Sequence, residues 1–168
     1  MDIQIRKGTI DDTEKIIRFL EEIRSGMQHP EWFFLDSPEV VRGYMRTGKM
    51  HAWLALDGDR IVAIFDYLIP GTEKFNYGYD LGFSAGDLLR VINLDNAAVH
   101  PTYRGRGLQR KMLQMAEEYL RASGSYILLC TVHPDNIYSL QNVLGRGYSI
   151  QKQLDKYNST RYILRKDI

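Results

Sequence analysis

Tyr103-Arg104-Gly105-Arg106-Gly107-Leu108-Gln109 is the stretch on which the reading of this chain turns. Upstream stands an apolar run closing on Ala97-Ala98-Val99-His100-Pro101. Downstream, from Gly107 to Arg121, Leu108, Met112, Met115 and Tyr119 recur at helical spacing. A strand, a glycine-bearing turn and the longest helix of the chain are therefore expected in succession. Gly105 and Gly107 let the backbone turn its N–H groups toward one point, and the helix start adds its positive end, an arrangement suited to phosphate. Arg104, Arg106, Arg110 and Lys111 put four positive charges in eight residues with no acid among them. A dinucleotide fingerprint needs a third glycine where Arg110 stands, and a P-loop needs Lys-Ser/Thr where Leu108-Gln109 stands, so both fit poorly. A solvated basic face at a glycine-led helix start accounts for the same residues without a ligand.

Working outward, Tyr126 to Val132 is a near-continuous apolar run, as for a strand buried on both faces. Pro134-Asp135-Asn136 then opens a helix that ends near Gly145. Tyr148 to Leu154 and Thr160 to Arg165 read as a final hairpin across Lys156 to Ser159. Toward the N-terminus, Ile3 to Arg6 alternates as a short strand, and Thr9 to Asp12 supplies caps for a helix with Ile16, Leu20 and Ile23 on one face. Ser37-Pro38-Glu39 marks a second helix with proline at its first position. His51 to Leu56 and Arg60 to Ile69 are joined by Asp57-Gly58-Asp59, a hairpin signal. Pro70 to Gly86, rich in Gly, Tyr and Phe, reads as a long excursion before the strand Leu89 to Val99. The order is β-α-α-β-β-β-α-β-α-β-β, a mixed α/β sheet with a helical crossover at its centre, in one domain over residues 1–168.

The 168 residues are 44% hydrophobic and 26% charged, enough for a real core. Twenty-two Lys and Arg against 21 Asp and Glu leave a net charge of +1, which gives no global attraction to nucleic acid or an anionic membrane. No run approaches the roughly 18 apolar residues of a membrane span, and the N-terminus lacks a basic segment followed by an apolar one. With one cysteine, Cys130, inside an apolar run, a cytoplasmic protein is expected, and Cys130 reads as packing. His29, His51, His100 and His133 show no metal spacing, so no metal is expected.

The loop and its flanks resemble the GNAT superfamily of acyl-CoA-dependent N-acyltransferases. That family's loop runs Arg/Gln-x-x-Gly-x-Gly/Ala, matched here by Arg104 and Gly107 and departed from at Gln109. Asn136, Ser139, Gly147 and Tyr148 fall at the spacing of its second motif. The motif resemblance covers residues 91 to 148, and the order of elements extends it to the whole chain. It implies acetyl-CoA as co-substrate, held by the backbone of Ala97, Ala98 and Val99, by the loop Arg104, Gly105, Arg106, Gly107, Leu108 and Gln109, and by Asn136 and Ser139. The tyrosine that often protonates the leaving thiolate in the family falls at Val143. Tyr138, about 140° away around a helix, is a poor substitute and is read as cofactor contact or packing.

Acyl transfer to an amine needs alignment, a neutral nucleophile and donors for the developing oxyanion. A bulge at Ala97 to Val99, or a splay from the strand ending at Val132, would free backbone N–H groups for that last role. An alkyl ammonium of pKa roughly 10.4 must first lose a proton, which a carboxylate or a water chain can take. Asp95 is the first candidate for that base; a surface or structural aspartate is the competing reading. Asp66, in an otherwise apolar strand, or Asp80, in the excursion, could bind a cationic substrate. Trp32, Phe33, Phe34, Phe75, Tyr77, Tyr79 and Phe83 either wall an acceptor pocket or cover core edges. The acceptor is a small-molecule or protein amine, and the C-terminal hairpin offers an edge for a homodimer. Two readings compete with catalysis: an acyl-CoA-binding sensor without turnover, and an interaction module that lost the cofactor.

Overall fold

The protein is described by a computed structural model covering residues 2–168. It is an α/β fold whose seven strands follow the order β1-β2-β3-β4-β5-β7-β6. Two compact units are present, one from the segments up to Leu68 and Asp95–Tyr119, the other from Ile69–Leu94 and Leu120–Ile168.

In the first unit, β1 (Ile3–Lys7), β2 (Met50–Asp57) and β3 (Arg60–Leu68) pair antiparallel. Gly58 and Asp59 make the two-residue turn between β2 and β3, and Gly58 takes the left-handed φ of 58° that such a turn requires. α1 (Thr13–Ser25) buries Ile16, Ile17, Phe19, Leu20 and Ile23. Each such side chain taken fully out of water contributes about 1.5–3 kcal/mol. Its start is fixed by Asp12, which accepts hydrogen bonds from Arg6 Nη1 and Nη2 at 2.7 and 2.8 Å and from the Thr9 backbone at 2.8 Å. α2 (Pro38–Thr47) has proline at its first position and the Ser37 hydroxyl accepting from Val40 N. Gly48, in the left-handed region, closes it.

The second unit carries α3 (Ala85–Leu88), the start of β4 (Val91–Val99), β5 (Ile127–Val132), α5 (Ile137–Leu144), β6 (Ser149–Lys156) and β7 (Ser159–Asp167). Val91–Leu94 runs parallel to Ile127–Cys130, and β7 pairs antiparallel with both β5 and β6. Tyr157 and Asn158 form the last hairpin turn, both at left-handed φ. Along the chain, β4 passes from the second unit to the first at Asp95, and α4 (Leu108–Ser123) passes back at Leu120.

The excursion before β4 is more ordered than its composition suggests. Tyr77–Leu81 forms a 3-10 turn, and α3 starts where the Ser84 hydroxyl accepts from Asp87 N. Asn76 holds the segment closed by donating to Gly71 O at 2.7 Å and Leu88 O at 3.0 Å. Tyr77 belongs to the core with Val91, Ile127, Leu129 and Ile163, and Phe83 packs against that cluster, so these two aromatics cover core. Asp80 is held by Lys156 Nζ at 2.9 Å, which corrects the expectation that it could receive a cationic substrate. Cys130 is buried, and burial pushes its thiol pKa up to about 12, as packing requires.

Candidate active site

The turn before α4 is pinned at its base and open at its tip. His100 N donates to Val62 O at 2.9 Å, and Tyr103, itself buried, donates its hydroxyl to Asp57 Oδ2 at 2.6 Å. Beyond that anchor Arg104, Gly105, Arg106 and Gly107 are exposed. Gly105 and Gly107 have φ of 76° and 70°, conformations that L side chains rarely adopt. Nothing lies within 4 Å of a Cβ added at either, so the sign of φ rather than crowding calls for glycine. Arg104 Nε donates to Val99 O at 3.4 Å, and the Arg106 guanidinium lies 5.2 Å from the Tyr103 ring. At the start of α4, Lys111 N donates to Gly107 O at 2.9 Å. Leu108 is buried, Gln109 half-buried, and Arg110 and Lys111 are exposed. Left-handed glycines, a helix start and four exposed cations fit a pyrophosphate.

At the end of β4, Ala97 and Val99 are partly exposed and Ala98 is buried. Asp95 is partly exposed, whereas its neighbour Asn96 is buried. Asn96 ties two acids together: its backbone N donates to Asp66 Oδ1 at 3.0 Å, and its Nδ2 to Asp66 Oδ2 at 3.1 Å and to Asp95 Oδ2 at 2.9 Å. Burial pushes the Asp66 carboxyl up to about 7 against the lowering effect of the Asn96 bonds. Burial, then the Asp66 and Asp36 charges, hold Asp95 well above the ordinary carboxylate range. Asp36, from the segment before α2, is also raised by burial. It lines a cavity of about 480 Å³ with Glu21, Arg24, Met27, Leu35 and Pro38, among others.

Thus Asp95, Ala97, Ala98, Val99 and the loop 104–109 all fall in the first unit. Asn136 and Ser139 fall in the second, where Asn136 Oδ1 accepts from Ser139 N at 3.3 Å and caps α5. There Val143 is buried, Tyr138 is 85% exposed, and Gly147 has a φ of 87° before buried Tyr148. Two residues of the acidic cluster escaped sequence reasoning. Asn96 offered only its place beside Asp95, and Asp36 only its place before the Ser37-Pro38 helix start. The histidines serve local structure: His100 Nδ1 and His133 Nδ1 accept from Thr102 N and Asp135 N, His29 stacks on Trp32, and His51 stacks on Tyr67.

Comparison with known proteins follows the same lines. The acetyltransferase (GNAT) family model matches residues 16–143. A GNAT-family acetyltransferase from Streptococcus pneumoniae superposes with a TM-score of 0.75 at 18% identity, covering 99% of each chain. Arabidopsis thaliana NAA60, solved with acetyl-CoA, gives 0.76 at 13% identity and 99% of each chain. PaiA N-acetyltransferase from Thermoplasma acidophilum, solved with coenzyme A, gives 0.64 at 16% identity and 100% of each chain. At these identities the likeness speaks for the fold. No curated protein sequence matches significantly. With the family model spanning most of its length, the chain belongs to the GNAT acetyltransferase family.

Proposed function

We propose that residues 1–168 work as one acyltransferase domain that moves an acetyl group from acetyl-CoA to an amine by direct attack in a ternary complex. The observation that carries this reading is the loop Arg104–Gln109, whose left-handed glycines and exposed arginines lead into the start of α4. There Arg104 to Gln109 hold the pyrophosphate through backbone N–H groups and positive charge. The backbone of Ala97, Ala98 and Val99 aligns the acyl arm and supplies the oxyanion donor, and Asn136 and Ser139 complete the cofactor contacts. Asp95 takes the amine proton. Its partial exposure supports contact with an acceptor, and burial with the neighbouring charges raises its pKa, which makes it a better proton acceptor than an ordinary aspartate.

The acceptor is a small molecule or a protein amino group. A lone, buried, unpaired cysteine supports a reducing, cytoplasmic setting; no helix among the described residues is long and apolar enough to cross a membrane. Val143, buried where relatives of the family often carry an acid, leaves the thiolate to depart unprotonated or take a proton from water, which its solution pKa of roughly 8.5 permits. The same residue favours one alternative, an acyl-CoA-binding sensor without turnover. Release of free CoA thiol across a panel of amines separates the two: the enzyme gives saturable, amine-dependent release, whereas a sensor binds acetyl-CoA and releases none.

A further inference from the structure

Asp66 sits in a strand where Ile61 to Leu68 are all buried, and it is itself 0% exposed. Among the described residues no cation pairs with it; its donors are the Asn96 backbone N and side-chain Nδ2. An ionised carboxylate out of water with no cation costs several kcal/mol, so such a group holds a proton or awaits a positive partner. The same Nδ2 reaches Asp95 Oδ2, so one amide group serves two carboxyls. Its other end, Asn96 Oδ1, is buried and has no hydrogen-bond partner. With its Nδ2 committed to both acids, the Asn96 amide holds the two carboxyls close together.

We propose that Asp66 is a positioning residue that works with Asp95 as one electrostatically coupled carboxylate pair, bridged by the Asn96 amide, with Asp95 facing the acceptor amine. Asp95 is partly exposed and Asp66 is not, so only Asp95 can touch a substrate. Two bridged carboxylates resist ionising together, and their protons leave in two steps that belong to the pair. Above the upper step the pair is empty and attracts a cation. An arriving ammonium supplies it: an N–H bond breaks, its electron pair stays on nitrogen, and an O–H bond forms on Asp95. The proton stays on Asp95, where the nearby Asp66 charge favours it, and it leaves to the departing thiolate or to water after acyl transfer.

The surroundings reinforce this. Asp36 adds a third like charge. Ala52 stands opposite Asp66 on β2, and burial lowers the pKa of the adjacent His51. Lys7 lies over the Tyr119 ring at 2.9 Å. The charged side chains of α1, Glu14, Lys15, Arg18, Glu21, Glu22 and Arg24, are exposed.

This assignment deepens the acyl-transfer reading and takes its catalytic meaning from it, so its test begins without substrate. Carboxyl carbon resonances of Asp66 and Asp95, followed through pH in the substrate-free protein, should each move through the same two steps, the upper near neutrality. Single, independent steps overturn the pair. In Asp66→Asn, Asp95 should titrate in one step about one pH unit or more lower. The acid limb of amine-dependent thiol release should move down with it while turnover falls; Asp95→Asn should remove the limb. A merely structural Asp66 would reduce the yield of folded protein and leave the limb where it was, which contradicts the proposal. If no amine supports turnover, the acyl-transfer reading fails, and the substrate-free titration still decides whether the pair exists.

Discussion

Asp66 makes stability depend on pH in a direction opposite to most carboxylates. Burial raises the native pKa values of Asp66 and its coupled neighbour Asp95 above the roughly 3.9 of an unfolded aspartate. Between those values the native state keeps a proton that the unfolded chain has released, so stability is fully present at low pH and declines as pH rises toward neutrality. Asp66→Asn should flatten that decline, and its Tm at pH 8 should equal or exceed the wild-type value; a lower Tm there would mean the ionised carboxylate is stabilising. At the loop, Gly107→Asp is a cleaner probe than Gly107→Ala. Asp tolerates left-handed φ better than Ala, and a Cβ there meets nothing within 4 Å, so folding should survive while its charge opposes phosphate. Arg104, Gly105 and Gly107 were legible because glycine spacing and clustered charge are written in consecutive residues. The Asp66–Asn96–Asp95 bridge was not, because it joins positions 66 and 96, and nothing local signals that β3 brings an acid to β4.

Elements whose start and stop chemistry lies within a few residues were readable. Pro38 after Ser37 gave the start of α2, and Gly58 between two apolar runs and the apolar spacing of α4 gave elements within about two residues of their observed bounds. α3 was missed because four residues carry no period and its only signal is one serine cap. The cap of α1 invites a direct test. Arg6 and the Thr9 backbone hold the Asp12 carboxyl far below the usual range, so its contribution is present above about pH 4 and is lost as pH falls through its native pKa. Asp12→Ala should cost about 2 kcal/mol at pH 7, a figure restrained by the solvent around Arg6. For a chain of this length that is a fall in Tm of about 4–8 °C. Equal melting of variant and wild type at pH 7 would remove the clamp from the account.

For the molecule as a whole, the order of strands and helices followed from sequence because each run declares its own type. The α/β class and the GNAT resemblance both hold. The division into two compact units, with β4 and α4 each contributing to both, had no signal in composition or linkers. Acetyl-CoA should stabilise the folded chain by about 2.7 kcal/mol at one hundred times its Kd, visible as a raised Tm. The most direct measurement is calorimetric titration of acetyl-CoA into the wild-type protein and into Gly107→Asp. The account predicts saturable binding to the wild type and at least tenfold weaker binding to a variant that remains folded. Absence of binding to the wild type at millimolar acetyl-CoA, or equal affinity in the two proteins, would contradict it.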